Sequence, residues 1–275
     1  MPRTSSPPRP PRRRSDRGQR QGAAPEPPPR ERTHERDLVC VCGLAAVKAL
    51  FASDRARVER LFFEPRLAAE LLPARRALAR MHKPYREADA DELARIAGTM
   101  RHGGVVAVTR PRPLAAFDPK LVAGWARDGR PLVVLDGIGN PHNLGAIVRS
   151  AAYFGVARIV LADRPEQALP SAASYRIAEG ALDRVTLYQA PLAVALPALR
   201  RCYRLVGTAL GQGVALGALR SDRPVALILG NEEHGLDGAT LQLCDTVVTI
   251  PGSGEVQSLN VAAAAAVLLY ALSTG

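Results

Sequence analysis

Cysteine is scarce in this chain. Four occur, Cys40, Cys42, Cys202 and Cys244, and none has the C-x-x-C spacing of a zinc site. That excludes a zinc ribbon and a disulfide framework, and leaves reduced structural thiols. Long apolar runs are missing too. Residues 1 to 37 contain no apolar run that a secretory signal would need. The longest apolar stretch, Val261 to Leu272, is too short to span a bilayer and is expected to form a buried helix. A cytoplasmic protein is therefore expected. Lysine is almost absent, with three against 34 arginines. Alanine and proline are abundant, so this bias reflects genomic base composition as much as selection. The net charge of +11 suits a polyanion such as RNA without naming it.

What is present is an ordinary globular composition, 275 residues with 47% hydrophobic, enough for one or two domains. The charge is uneven, because residues 1–36 hold ten Arg and four acids, or +6 of the total. They have almost no large apolar side chains, which predicts a disordered Pro/Arg-rich arm that solubilises the protein or touches RNA phosphates. From Leu38 the pattern changes. Leu44, Val47, Leu50 and Phe51 repeat at helical spacing, Leu61 to Phe63 suits a buried strand, and Asp91 to Ile96 suits a capped helix. Val105 to Thr109 forms another strand after His102-Gly103-Gly104, giving a small α/β module over 37–110. Pro111, Pro113 and the uneven sequence to Arg130 suggest a linker, 111–130. In 131–275, strands at 132–135, 159–162, 204–208, 225–229 and 246–250 alternate with helix-like segments. These strands are continuously apolar, which predicts α/β architecture with a mainly parallel sheet covered by helices on both faces.

Three loops follow such strands and carry glycine, amide and charge together. They are Asn140-Pro141-His142-Asn143-Leu144-Gly145 with Arg149 beyond, Gly230-Asn231-Glu232-Glu233-His234-Gly235, and Ile250-Pro251-Gly252-Ser253-Gly254 leading to Ser258-Leu259-Asn260. Open α/β sheets bind ligands at such strand ends, and small residues let a ligand approach the main chain. In the helix after the first loop, Asn143 suits an N-cap and Gly155 a C′ position. Leu144, Ile147, Val148, Ala151, Ala152 and Phe154 then share one arc, and Arg149 falls outside it beside Gly145, where no side chain crowds it. An Arg on the first turns opposes the helix macrodipole, so another need keeps it there.

Two ligand classes suit these loops. A dinucleotide reading uses Gly137-Ile138-Gly139 with Asp163 as ribose acceptor, which would make a nicotinamide-dependent oxidoreductase. It lacks the third glycine and leaves the two C-terminal loops unexplained. An adenosyl cofactor is the second class, and here the residues carry a resemblance. Asn140 to Ala151, Ile228-Leu229-Gly230-Asn231-Glu232, and Ile250-Pro251 with Ser258-Leu259-Asn260-Val261-Ala262 resemble, in order, the three motifs of the SpoU (TrmH-like) RNA 2′-O-ribose methyltransferases of the SPOUT superfamily. Residues 38–109 more loosely resemble the L30e-like substrate-binding domain found ahead of many such enzymes.

The resemblance implies S-adenosylmethionine as cofactor, rRNA or tRNA as substrate, a C-terminal trefoil knot and a homodimer with the site at its interface. It implies that Gly230, Ile250 and Leu259 line the cofactor pocket and that Ser258 hydrogen-bonds within the third loop. It implies further that Asn143, Glu232 and Asn260 shape the site while Arg149 acts on RNA. Departures from the family pattern fall at Glu233-His234, Val261-Ala262 and Gly252 to Gly254. They leave a non-catalytic RNA-binding relative as an alternative. His142 and His234 are expected to be polar loop contacts.

Overall fold

The computed structural model describes residues 38–211, 213–219 and 221–274, so the expected 1–36 arm lies outside them. The first part runs β1 (Val39–Cys42), α1 (Leu44–Asp54), β2 (Val58–Phe63), α2 (Leu72–Arg80), β3 (Tyr85–Glu87), α3 (Ala90–Ala97) and β4 (Val105–Thr109). Its four strands form one sheet in the order β1-β4-β2-β3, with β4 antiparallel to both β1 and β2. The helical spacing at Val47 and Leu50 becomes α1, where both side chains are fully buried. The capped helix is α3: Asp89 accepts from the Glu92 N–H, and left-handed Gly98 ends it.

The second part comprises β5 (Ala115–Ala116), α4 (Val122–Ala126), β6 (Leu132–Asp136), α5 (Pro141–Tyr153), β7 (Arg158–Ala162), α6 (Ala172–Ala178) and β8 (Thr186–Ala190). It continues with α7 (Leu192–Arg200), β9 (Arg204–Thr208), β10 (Val214–Ala215), β11 (Val225–Gly230), α8 (Gly238–Leu243), β12 (Thr246–Thr249) and α9 (Val261–Thr274). Eight strands pair in the order β10-β12-β9-β11-β6-β7-β8-β5, every pair parallel. Side chains of the central strands alternate between two apolar layers. Val133, Leu135, Ile159, Leu161, Leu227 and Leu229 face α5, α6 and α9, while Leu132, Val134, Val160, Ala226 and Ile228 face the layer of α4 and α7. Burial on both faces explains the unbroken apolar sequence of these strands. Among the described residues, no helix is long and apolar enough to cross a membrane.

The segment 111–130 is more than a tether. Strand β5 extends the sheet beside β8, and Trp125 of α4 is buried against Phe117 and Tyr188 at centroid distances of 5.7 and 4.7 Å. Strand β8 was hidden in the sequence because Thr186, Tyr188 and Gln189 interrupt its apolar pattern. The start of α5 also differs from expectation. Asn140, not Asn143, is the N-cap, its side chain accepting from the His142 N–H at 2.8 Å. Pro141 needs no N–H partner and has a helical φ already, so the helix begins there and Asn143 falls within its first turn. The other end matches: Gly155 (φ 77) donates to Ala152 O and Val156 to Ala151 O, the two bonds of a Schellman motif.

The two sheets meet through buried polar contacts. Arg57, before β2, bonds Asp54 at 2.9 Å, the carbonyl of Arg110 at 2.8 Å, and Asp183 from the segment after α6. Arg112 donates its backbone N–H to the hydroxyl of Tyr175 in α6 at 2.8 Å.

Candidate functional site

Strands β6 and β11 lie side by side, yet the chain leaves β6 toward β7 and leaves β11 toward the opposite edge. Their C-terminal loops therefore diverge over a crevice, where α/β sheets accept ligands. The first two loops are those loops. The third follows β12, two strands away, and α9 returns from it to pack on α5.

Three motif residues meet at this crevice. Asn143 Nδ2 donates to Glu232 Oε1 at 2.7 Å, and Asn260 Nδ2 donates to Asn143 Oδ1 at 3.1 Å. Glu232 Oε2 accepts from the Gly139 N–H at 3.3 Å. Asn260 Oδ1 accepts from Ala262 and Ala263, which makes it the cap of α9. Glu232 thus uses both oxygens to hold the first loop, so it serves as a brace in this arrangement.

The second loop is a tight return. Asn231 and Gly235 exchange backbone bonds at 3.0 Å each, and Asn231 Oδ1 accepts from Glu233 and His234. Gly230 is obligatory beneath it, because a Cβ there would lie 2.3 Å from the carbonyl carbon of Gly235. Glu233 and His234 sit at the tip with their side chains in solvent, outside the Asn143–Glu232–Asn260 contacts.

In the third loop Ile250 packs on the core, whereas residues 251–260 are exposed. Residues 251–259 make no backbone–backbone hydrogen bond among the described residues. Leu259 is half exposed. Free peptide groups beside apolar Ile250 and Leu259 are a donor and acceptor set that fits an adenine ring. Ser258 finds no hydrogen-bond partner among the described residues; the bond within this loop runs instead from Glu255 N to Ser253 Oγ at 3.3 Å.

Arg149 stands apart from this cluster, six residues beyond Asn143, or about 9 Å along the helix axis. Its guanidinium pairs with Glu179 at 2.9 Å. The space beside it at Gly145 is not open, as the sequence had suggested. A Cβ on Gly145 would lie 2.5 Å from Ser174 O, so the glycine admits α6 against α5.

Two supports escaped sequence reading. Gln167, 5% exposed, accepts from the N–H groups of Gly137 and Ile138 at 3.0 and 3.2 Å and donates to the carbonyls of Ile138 and Ala168. Asp136, 1% exposed at the end of β6, pairs with Arg164 at 2.9 Å and accepts from Thr240 Oγ1 at 2.8 Å. Burial raises the Asp136 carboxyl above its ordinary range against both of these partners. Arg164 also reaches Asp237 at 3.0 Å, which ties the loop after β7 to the second loop. Only their partners across the fold identify these residues.

The same contacts overturn the dinucleotide reading. That reading needs the N–H groups of Gly137 to Gly139 to face a pyrophosphate, but Gln167 and Glu232 occupy them. Asp163 accepts from Gln189 at 3.0 Å.

Fold and crevice together define a parallel-sheet α/β protein in which one residue from each of the three motif loops meets beside the C-terminal ends of β6 and β11. The chain belongs to the SpoU rRNA methylase family, whose model matches residues 130–270, and residues 40–115 match the RNA 2′-O ribose methyltransferase substrate-binding model. A 23S rRNA (guanosine-2′-O-)-methyltransferase RlmB of a Burkholderia species is 36% identical over 240 residues, 83% of this chain and 93% of that one. The RlmB of Nitrosomonas europaea is 38% identical over 185 residues, 66% of this chain and 70% of that one. The crystal structure of the SpoU methyltransferase AviRb from Streptomyces viridochromogenes, in complex with the cofactor AdoMet, matches with a TM-score of 0.64 at 26% identity, covering 86% of this chain and 89% of that one. The protein is an S-adenosylmethionine-dependent RNA 2′-O-ribose methyltransferase.

Proposed function

We propose that the chain methylates a ribose 2′-hydroxyl of ribosomal RNA, a large-subunit guanosine as in its relatives, with Arg149 on the RNA and the second and third loops on the cofactor. The observation that carries this is the joining of Asn143, Glu232 and Asn260, one residue from each motif, through two side-chain hydrogen bonds. Gly230, Ile250 and Leu259 hold S-adenosylmethionine by peptide groups and apolar contact, with Ser258 at the pocket rim. Bound there, the cofactor supplies an electrophilic methyl on a sulfonium.

The remaining work belongs to the chain. The Asn143–Glu232–Asn260 linkage fixes the first loop against the third, which sets where an incoming ribose can rest. Arg149 clamps the phosphate beside that ribose and stabilises negative charge developing on the 2′-oxygen. A guanidinium stays protonated in proteins and cannot serve as the base, so the proton goes to the RNA phosphate or water. Glu232 is a weaker acceptor for it, because both carboxylate oxygens already accept bonds.

Residues 131–275 form the catalytic domain, and 37–110 the L30e-like domain that grips structured RNA. The chain between β12 and α9 makes the trefoil knot, a reading supported by the return of α9 onto α5. A homodimer completes the site: Arg149 lies away from the Asn143 cluster within one chain, and Tyr153, Tyr270, Val256 and Leu259 leave apolar surface exposed around α5, α9 and the third loop. Arg149→Ala should abolish methyl transfer while calorimetry shows unchanged binding of S-adenosylmethionine. Near-normal turnover by that variant would remove Arg149 from the reaction.

A further inference from the structure

Glu179 is one of two non-glycine residues with positive φ among the described residues, at φ 47 and ψ 48. A left-handed Glu is strained, and strain that persists in a fold is held by its surroundings. Two observations show what the strain accompanies. Glu179 is the C-cap of α6, and its carboxylate meets the Arg149 guanidinium at 2.9 Å. Helix α6 is itself seated on α5 one turn earlier, where the missing side chain of Gly145 admits Ser174 and Ile177. From Gly145 to Arg149 is about 6 Å along α5, and from Ser174 to Glu179 about 7.5 Å along α6. The two helices therefore advance in step from their closest approach to the ion pair.

The other side of α6 touches the first sheet's domain. The Arg176 guanidinium lies against Gly98, and Gly180, directly after Glu179, lies against Ala46 of α1 so closely that a Cβ would come within 2.6 Å of it. The corner at Glu179–Gly180 is thus clamped between Arg149 and the domain that matches the substrate-binding model.

We propose that Glu179 is a positioning residue for Arg149: its carboxylate, fixed by the left-handed corner that abuts α1, aims the guanidinium at the phosphate beside the target ribose. This rests on the reading of Arg149 as the RNA-facing group. Both side chains are about half exposed, so the pair is weak enough for a phosphodiester to share or replace the carboxylate. Glu179 does not touch substrate; it acts through the orientation of Arg149.

The test uses the full chain and the substitutions Glu179→Gly, Glu179→Gln, Arg149→Lys and Arg149→Ala. Glycine takes the left-handed conformation freely, so Glu179→Gly should leave the Tm equal to or above that of the parent. The same variant should lower kcat roughly 10-fold, inside the ~10²-fold loss that a misplacement of about 1 Å can cause. Its KM for S-adenosylmethionine should not move. Glu179→Gln keeps an acceptor oxygen and should recover most of the rate. With Arg149→Lys as background, Glu179→Gly should add little, since both act on one group. Unchanged kcat in Glu179→Gly with Arg149→Ala inactive would overturn the positioning role and leave the reading of Arg149 standing. Losses that multiply in the double variant would overturn it as well. Full activity of Arg149→Ala would overturn both.

Discussion

Gln167 offers a quantitative test of how the first loop is held. Its amide is buried and makes four hydrogen bonds, two accepted from Gly137 and Ile138 N–H and two donated to the Ile138 and Ala168 carbonyls, at 3.0 to 3.3 Å. Ile138 is fully buried, so water does not easily replace these bonds. Gln167→Leu keeps most of the volume and removes every polar partner. Each buried group left unsatisfied costs about 1–3 kcal/mol, so two stranded N–H groups imply roughly 3 kcal/mol after relaxation of the loop. For a domain of this size each kcal/mol shifts Tm by about 2–4 °C, giving a fall of about 6–12 °C. Gln167→Ala should lose slightly more, since a cavity is added. Thermal unfolding by circular dichroism reads the shift, and methyl transfer should decline with it because Gly139 and Asn140 follow directly. A Gln167→Leu variant within about 2 °C of the parent would refute the reasoning, since packing alone would then account for the residue.

Two further outcomes follow from the site and the thiols. Glu232→Ala releases the Asn143 amide and the Gly139 N–H, whose bonds to it are both solvent-exposed, so stability should change by less than about 1 kcal/mol while kcat drops at least about 10-fold; unchanged kcat would contradict the brace. Burial pushes the Cys42 thiol up to about 12 and that of Cys244 up to about 11, from an ordinary 9.0. Raised folded values mean that the contribution to stability is complete below pH ~9 and is lost as pH rises toward 11–12, where thiols ionise more readily in the unfolded chain. At pH 8 the thiolate fraction of Cys244 is roughly one in a thousand. Alkylation of Cys42 and Cys244 by iodoacetamide at that pH, read residue by residue by mass spectrometry, should therefore be slow until denaturant is added, and rapid labelling of either in the native protein would contradict their burial.

Much of this molecule was legible in the sequence where one physical rule acted alone. The central strands β6, β7 and β11, buried on both faces, had to be continuously apolar and formed where that pattern predicts, with β9 and β12 formed beside them. Signals failed where two rules competed. At the start of α5, Asn140 and Asn143 both suit a cap, and Pro141 decides in favour of the first. Strand β8 carries Thr186, Tyr188 and Gln189 because it lies toward the edge of the sheet, where burial is partial. The motif residues Asn143, Glu232 and Asn260 were identified by resemblance, but their mutual hydrogen bonds depend on the return of α9 to α5. Residues such as Gln167, Asp136 and Arg164 belong to no local pattern. Apart from the Gln167–Ala168 contact, their partners lie 28 to 104 positions away, so only the fold discloses them.

The most direct measurement is methyl transfer from labelled S-adenosylmethionine to ribosomal RNA taken from cells lacking this gene, followed by alkaline hydrolysis. A methylated 2′-oxygen cannot attack its neighbouring phosphate, so the account predicts label in alkali-resistant dinucleotides, lost with Arg149→Ala. Absence of incorporation by the folded, cofactor-binding protein, or label confined to mononucleotides as base methylation would give, would contradict it.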